Sequence, residues 1–218
     1  MGGSVATGDW RAGVSDLDVV ALVDGPVLPS RVGELVALHR SLDDGAARGL
    51  ALGCVYVDVA KLSALDRRHP TWTHGRLVKR VLSGVARAEL VRHGHAPVGR
   101  APGEVLPPLS PDELRAAVRE ELAGYWTWAV HRPWLWLDPA IADLGLITMA
   151  RARHTLATGE LLTKTAAIAH VDAPARLVEQ LRHRRAGSTV RSPRLRAGAV
   201  AWRDARRTVR AGGAARRR

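Results

Sequence analysis

Two short runs near the amino end combine residue types that can handle phosphate. Gly3-Ser4 is followed, after eleven intervening residues, by Asp16-Leu17-Asp18, which leads into the β-branched run Val19-Val20-Ala21-Leu22-Val23. Side chains alternate faces along a strand, so Asp16 and Asp18 project to one side with their carboxylates a few ångströms apart. Two like charges held so close need a cation. Magnesium takes oxygen ligands and keeps positions for substrate phosphates, so the pair suits a metal-nucleotide site built on Mg2+ and a triphosphate. Gly3 lets the backbone approach a phosphate, and Ser4 can donate a hydroxyl hydrogen bond to it. Asp-x-Asp alone reads equally as a solvated turn; the Gly-Ser at this spacing and the strand that follows favour phosphate chemistry.

The elements that must position these residues follow from periodicity and punctuation. Asp16 to Val23 reads as a strand closed by Asp24-Gly25-Pro26. Ser30 can cap a helix through Val32, Leu35, Val36 and His39 to Asp44-Gly45, and a second strand runs from Leu50 to Val57. Strand, helix, strand predicts an α/β first half. From about Thr73 helical signals dominate, beginning with Arg76 to His93 and then a proline-rich connector, Pro97 to Pro108. Ser110-Pro111-Asp112-Glu113 supplies a cap, a first-turn proline and a carboxylate, and the helix it starts is expected to reach Trp128. Asp138-Pro139 starts a helix over Ile141 to Ala157 that Thr158-Gly159 stops. Thr163 caps Lys164 to His170, and Ala173-Pro174 opens another through Leu181 to Arg185. The expected fold class is therefore α+β, a small α/β domain over residues 1–72 and an all-α bundle over 73–190, with an arginine-rich tail over 191–218 that frays from Ala211.

The chain has 218 residues, one cysteine, 46% hydrophobic residues and a net charge of +12. Cys54 has no intramolecular partner, which excludes a disulfide scaffold and a cysteine-built zinc cage. No run approaches the ~20 apolar residues that cross a bilayer, and Met1-Gly2-Gly3-Ser4 lacks the parts of a secretory signal. The sequence thus predicts a soluble cytoplasmic protein with no membrane partner. The basic surplus is almost all arginine; it favours a phosphate-bearing partner and reads equally as a solvated basic surface. No recognised nucleic-acid module accompanies it, so nucleic acid ranks last among partners.

Gly3-Ser4 with Ser15-Asp16-Leu17-Asp18 resembles the signature of the DNA polymerase β-like nucleotidyltransferase superfamily, in which Gly-Ser holds the triphosphate and two carboxylates bind magnesium. The stretch from Leu146 to Ala167, with Arg151, Thr158-Gly159 and Lys164, is similar to the C-terminal domain of the streptomycin/spectinomycin adenylyltransferases, and Val98-Gly99 with Leu106-Pro107 is similar to that family's linker. The resemblance implies transfer of AMP from ATP to a hydroxyl of an aminoglycoside-like small molecule, an antibiotic-resistance activity, with Mg2+ on Asp16 and Asp18. It implies that Gly3, Ser4 and Ser15 grip the triphosphate and that Arg151 and Lys164 meet its phosphates. Trp72 falls near the family's antibiotic-facing tryptophan, with core packing as the other reading. Tyr125, Trp126, Trp128, Trp134 and Trp136 read as core or interdomain filling, and Arg153 as a surface charge.

Two departures shape the expectation. The family's general base is a glutamate on the second strand, where this chain has Gly53 or a neighbour, so Asp58 at the strand end is the candidate substitute. The superfamily also places a helix and a strand ahead of Gly-Ser, whereas only Met1 and Gly2 stand before it here, which reads as an amino-terminal truncation or a start codon further upstream. The alternatives are a nucleotidyltransferase-like protein that modifies another protein in the manner of an antitoxin, and a degenerate, non-catalytic homologue.

Overall fold

The computed structural model describes residues 1–214, and the fold is mixed α+β. Its contacts divide it into two compact units, Met1–Pro108 and Leu109 onward. The expected boundary at residue 72 falls inside the first unit, because the strand and the two helices that follow it up to Pro108 belong to that unit.

In the first unit a one-turn helix, α1 (Gly3–Ala6), precedes strand β1 (Leu17–Val23), helix α2 (Val32–Asp44) and strand β2 (Leu52–Asp58). Ser30 does not cap α2; Pro29–Arg31 makes a 3-10 turn and Arg31 is the residue before the helix. β1 and β2 pair in parallel across the α2 crossover, with Asp18 opposite Gly53 and Val23 opposite Asp58. Strands β3 (Arg68–Thr73) and β4 (Arg76–Val81) then add antiparallel, in the order β1-β2-β3-β4. The helix expected from Arg76 is thus a strand first, and α3 spans only Gly84–His93 under a Ser83 cap. His74 and Gly75 both take positive φ, 49° and 70°, which makes a tight two-residue hairpin whose twist matches that of the flanking strands. Pairing between β2 and β3 covers Cys54↔Trp72 and Val55↔Thr71. It stops where Pro70 has no N–H to give.

One sheet face carries Val20, Val55 and Val57 onto Leu82, Leu90 of α3 and Leu106, with the short helix α4 (Pro102–Val105) beside them. The opposite face carries Cys54 and Trp72, which His39 of α2 covers.

The second unit is helical. Ser110 and Glu113 form a reciprocal capping box at the start of α5 (Pro111–Glu121). The chain continues through a π-turn over Leu122–Trp126, broken at Gly124, into α6 (Thr127–Val130). α7 (Pro139–Thr158) starts on the Asp138 cap and ends at Gly159 in the left-handed region. α8 (Lys164–Ala167) is capped by Thr163, and α9 (Ala175–Arg185) follows. The expected tail is corrected over most of its length, because α10 (Arg194–Ala214) is a long helix packed on α7. Residues 215–218 lie outside the described residues.

Small residues let those two helices come together. Ala197, Ala201 and Ala205 put one buried stripe on α10, while Gly145 and Gly198 face Trp136, where an added Cβ would overlap its ring or carbonyl. Arg153 is also corrected: its guanidinium bonds the buried Asp204 carboxylate at 2.7 Å and Thr208 at 2.8 Å. Trp126 and Trp136 are core residues as expected, whereas Tyr125, Trp128 and Trp134 are exposed. Among the described residues no helix is long and apolar enough to cross a membrane.

Candidate functional site

The first unit contains a cleft of about 320 Å³ at the sheet end where β1 and β2 begin. Asp16 and Asp18 both line it, so the two carboxylates that strand alternation puts on one side do share a cavity. Gly53, Thr73, His74, Arg80 and Asp43 line it as well. Three carboxylates therefore face one arginine and one histidine, an acidic hollow in a chain of net charge +12. A local field of this sign attracts cations whatever the charge of the whole chain.

Glycines make room around Asp18. Gly3 has φ +56°, a region open to glycine at little cost, and a Cβ there would overlap the Asp18 carboxylate. On the other side a Cβ at Gly53 would lie 3.5 Å from Asp18 Oδ1. The Gly2 N–H donates to the Asp18 carbonyl at 2.9 Å, which ties the Gly-Ser backbone to the start of β1. Ser4 is buried, and its hydroxyl has no hydrogen-bond partner among the described residues. Gly3 thus packs on Asp18, while neither Gly3 nor Ser4 is among the residues that line the cleft. Ser15 does not line it either: it is buried, and its hydroxyl accepts the Arg11 N–H at 3.0 Å, closing the turn before β1.

Two expected site residues are corrected. Asp58 lies at the far end of β2 from Gly53, about 16 Å along a strand at ~3.3 Å per residue. Its carboxylate accepts the Ala60 N–H at 3.0 Å and opens a 3-10 turn, so it cannot serve the cleft. Trp72 has no exposed surface and cannot wall an acceptor. Its ring stacks on His39 at 4.9 Å between centroids and 14° between planes, and its Nε1–H donates to Asp43 Oδ2 at 3.0 Å. The role left to Trp72 is to aim Asp43.

His39 completes that support. Its Nε2 lies 2.7 Å from the Tyr56 hydroxyl in a shared hydrogen bond. Burial lowers the His39 pKa and the nearby Asp43 carboxylate opposes that shift, while burial raises those of Tyr56 and Cys54. A buried thiol held protonated is a packing residue and a poor nucleophile.

The donor set fits magnesium. Two carboxylates suffice where substrate phosphates and waters supply the other oxygens. No group of three His, Cys, Asp or Glu side chains among the described residues forms a closed metal cage.

In the second unit Arg151 Nε donates to the Leu162 carbonyl at 2.8 Å, which holds the connector before α8 against α7, and Lys164 is the first residue of α8. Sequence reasoning missed Asp43, Thr73, His74 and Arg80 as lining residues. Asp44-Gly45 was visible only as a helix stop, with Asp43 before it given no role, and His74-Gly75 was a hairpin signal hidden by the helical reading of Arg76 onward. The chain matches no protein-family model and no curated protein.

Proposed function

We propose that this chain is a magnesium-dependent nucleotidyltransferase that moves AMP from ATP to a hydroxyl of a small cationic, aminoglycoside-like molecule. The observation that carries the reading is the packing of Gly3, at positive φ, directly on the carboxylate of Asp18, a residue that lines the cleft together with Asp16. A Gly-Ser backbone and a carboxylate pair at one spot can bind a phosphate tail and the cation that travels with it. Asp16 and Asp18 would hold Mg2+, which, when bound, offsets the charge of the triphosphate and draws electron density from its phosphorus. Glycine at position 3 lets the backbone lie against the Asp18 carboxylate, and the buried Ser4 hydroxyl, without a hydrogen-bond partner among the described residues, would donate to a phosphate oxygen. The surplus of carboxylates in the cleft favours a cationic acceptor over an anionic one.

Calorimetric titration with ATP and Mg2+ tests the first half, and a pyrophosphate-release screen over aminoglycosides tests the second. Asp16→Ala is expected to abolish metal-dependent ATP binding and turnover while leaving the melting temperature near that of wild type. Retained turnover in that variant refutes the metal role.

A further inference from the structure

Transfer of a nucleotidyl group to a hydroxyl releases the hydroxyl proton, and the cleft must take it up. We propose that Asp43 is the catalytic proton acceptor, supplied by the last turn of α2 in place of a carboxylate on the sheet; this rests on the nucleotidyltransferase reading above. Asp43 lines the same cleft as Asp16 and Asp18. Among the described residues it forms no three-membered metal-ligating group with them. β2 offers no rival, because Gly53 has no side chain and Asp58 is at the other end of the strand.

The orientation of Asp43 is built into the fold. Trp72, wholly buried, holds Oδ2 through its indole N–H, and His39 stacked on Trp72 is itself tied to Tyr56. Oδ1 takes no part in the bond to Trp72, and the residue that carries it lines the cleft. His74 and Arg80 are the other titratable groups facing this space. His74 sits exposed at the tip of a two-residue turn, and among the described residues no hydrogen bond holds its ring, so it lacks the fixed geometry that proton transfer requires. In the step itself the acceptor oxygen bonds to the α-phosphorus while its proton passes to Asp43 Oδ1. The P–O bond to the β-phosphate breaks, and pyrophosphate leaves with the electron pair.

The test compares the full-length wild type with Asp43→Asn, Asp43→Glu and Trp72→Phe. Mg2+-ATP binding is measured by calorimetry, and pyrophosphate release is measured with streptomycin and spectinomycin as acceptor probes. Asp43→Asn is expected to keep the ATP affinity and to lower kcat by ~10²–10⁴-fold. Asp43→Glu should recover part of that loss, and Trp72→Phe should lower kcat by a smaller factor without changing the KM for ATP. A purely structural role would move binding, melting temperature and kcat together. Wild-type kcat in Asp43→Asn, or loss of ATP binding in that variant, overturns the proposal and leaves the nucleotidyltransferase reading standing. Failure of the wild type to bind Mg2+-ATP removes both, and binding without release from either probe overturns the role of Asp43.

Discussion

The indole Nε1–H of Trp72 donates to Asp43 Oδ2 across 3.0 Å, joining the middle of the sheet to the last turn of α2. One partner has no contact with solvent, while the other lines an open cleft. The bond therefore conveys the rigidity of the core to a side chain at the surface. A carboxylate held from behind in this way has less rotamer freedom left to lose when it engages a ligand.

Because Trp72 fills the space under α2, Trp72→Ala is expected to cost about 3–5 kcal/mol, as large-to-small changes of buried aromatics do. Urea denaturation followed by circular dichroism measures this. A loss below about 1 kcal/mol would mean that the site collapses around the deletion and that His39 and Asp43 do not depend on the ring.

Gly3→Ala and Gly8→Ala separate backbone strain from steric overlap. Both glycines have positive φ, +56° and +68°, but nothing lies within 4 Å of a Cβ at Gly8, whereas one at Gly3 meets Asp18. Gly8→Ala should cost about 1–2 kcal/mol for the left-handed conformation alone. Gly3→Ala should cost more and should also weaken Mg2+-ATP binding, which Gly8→Ala leaves unchanged. Calorimetry on the two variants, with thermal melts, reads both effects.

Stability should fall in mild acid. His39 and His69 are both buried with pKa values held below the ordinary 6.5, His39 by burial and His69 by burial with Arg87 and Arg67 nearby. The unfolded chain therefore takes up protons that the native state resists, so stability is complete above pH 6.5 and declines as pH falls below it. Melting temperatures between pH 8 and pH 5 check the sign. His39→Gln should flatten the profile, and an unchanged slope would assign the effect to other groups.

Asp204 is a carboxylate buried in α10 that Arg153 reaches from α7. Asp204→Ala should destabilise the second unit by roughly 2–4 kcal/mol, below the full cost of breaking a buried pair because Arg153 can turn to water. Removal of residues from 194 onward should unfold that unit, since it uncovers Trp136. Hydrogen exchange on α7 amides distinguishes this from loss of a dispensable tail, which would leave their protection intact.

The sequence by itself determined what depends on neighbours a few residues apart. The Ser110 capping box, the Asp138-Pro139 start, the Gly159 stop and the Thr163 cap are all satisfied within one helical turn, so residue type and spacing predict them correctly. The facing of Asp16 and Asp18 into one cleft is of the same kind, since strand alternation requires only that the chain be extended there. Tertiary structure alone decided which distant surfaces meet. α10 is held by an alanine stripe too weakly hydrophobic to stand out among its arginines, and β4 by pairing with β3 across a two-residue turn. Register placed Asp58 beside Val23 and Gly53 beside Asp18, which removed the candidate base from the cleft. Packing of α2 on the opposite face brought Asp43 to that cleft and buried Trp72 behind it. Both outcomes depend on how the whole chain buries its apolar area, a quantity to which local spacing contributes little.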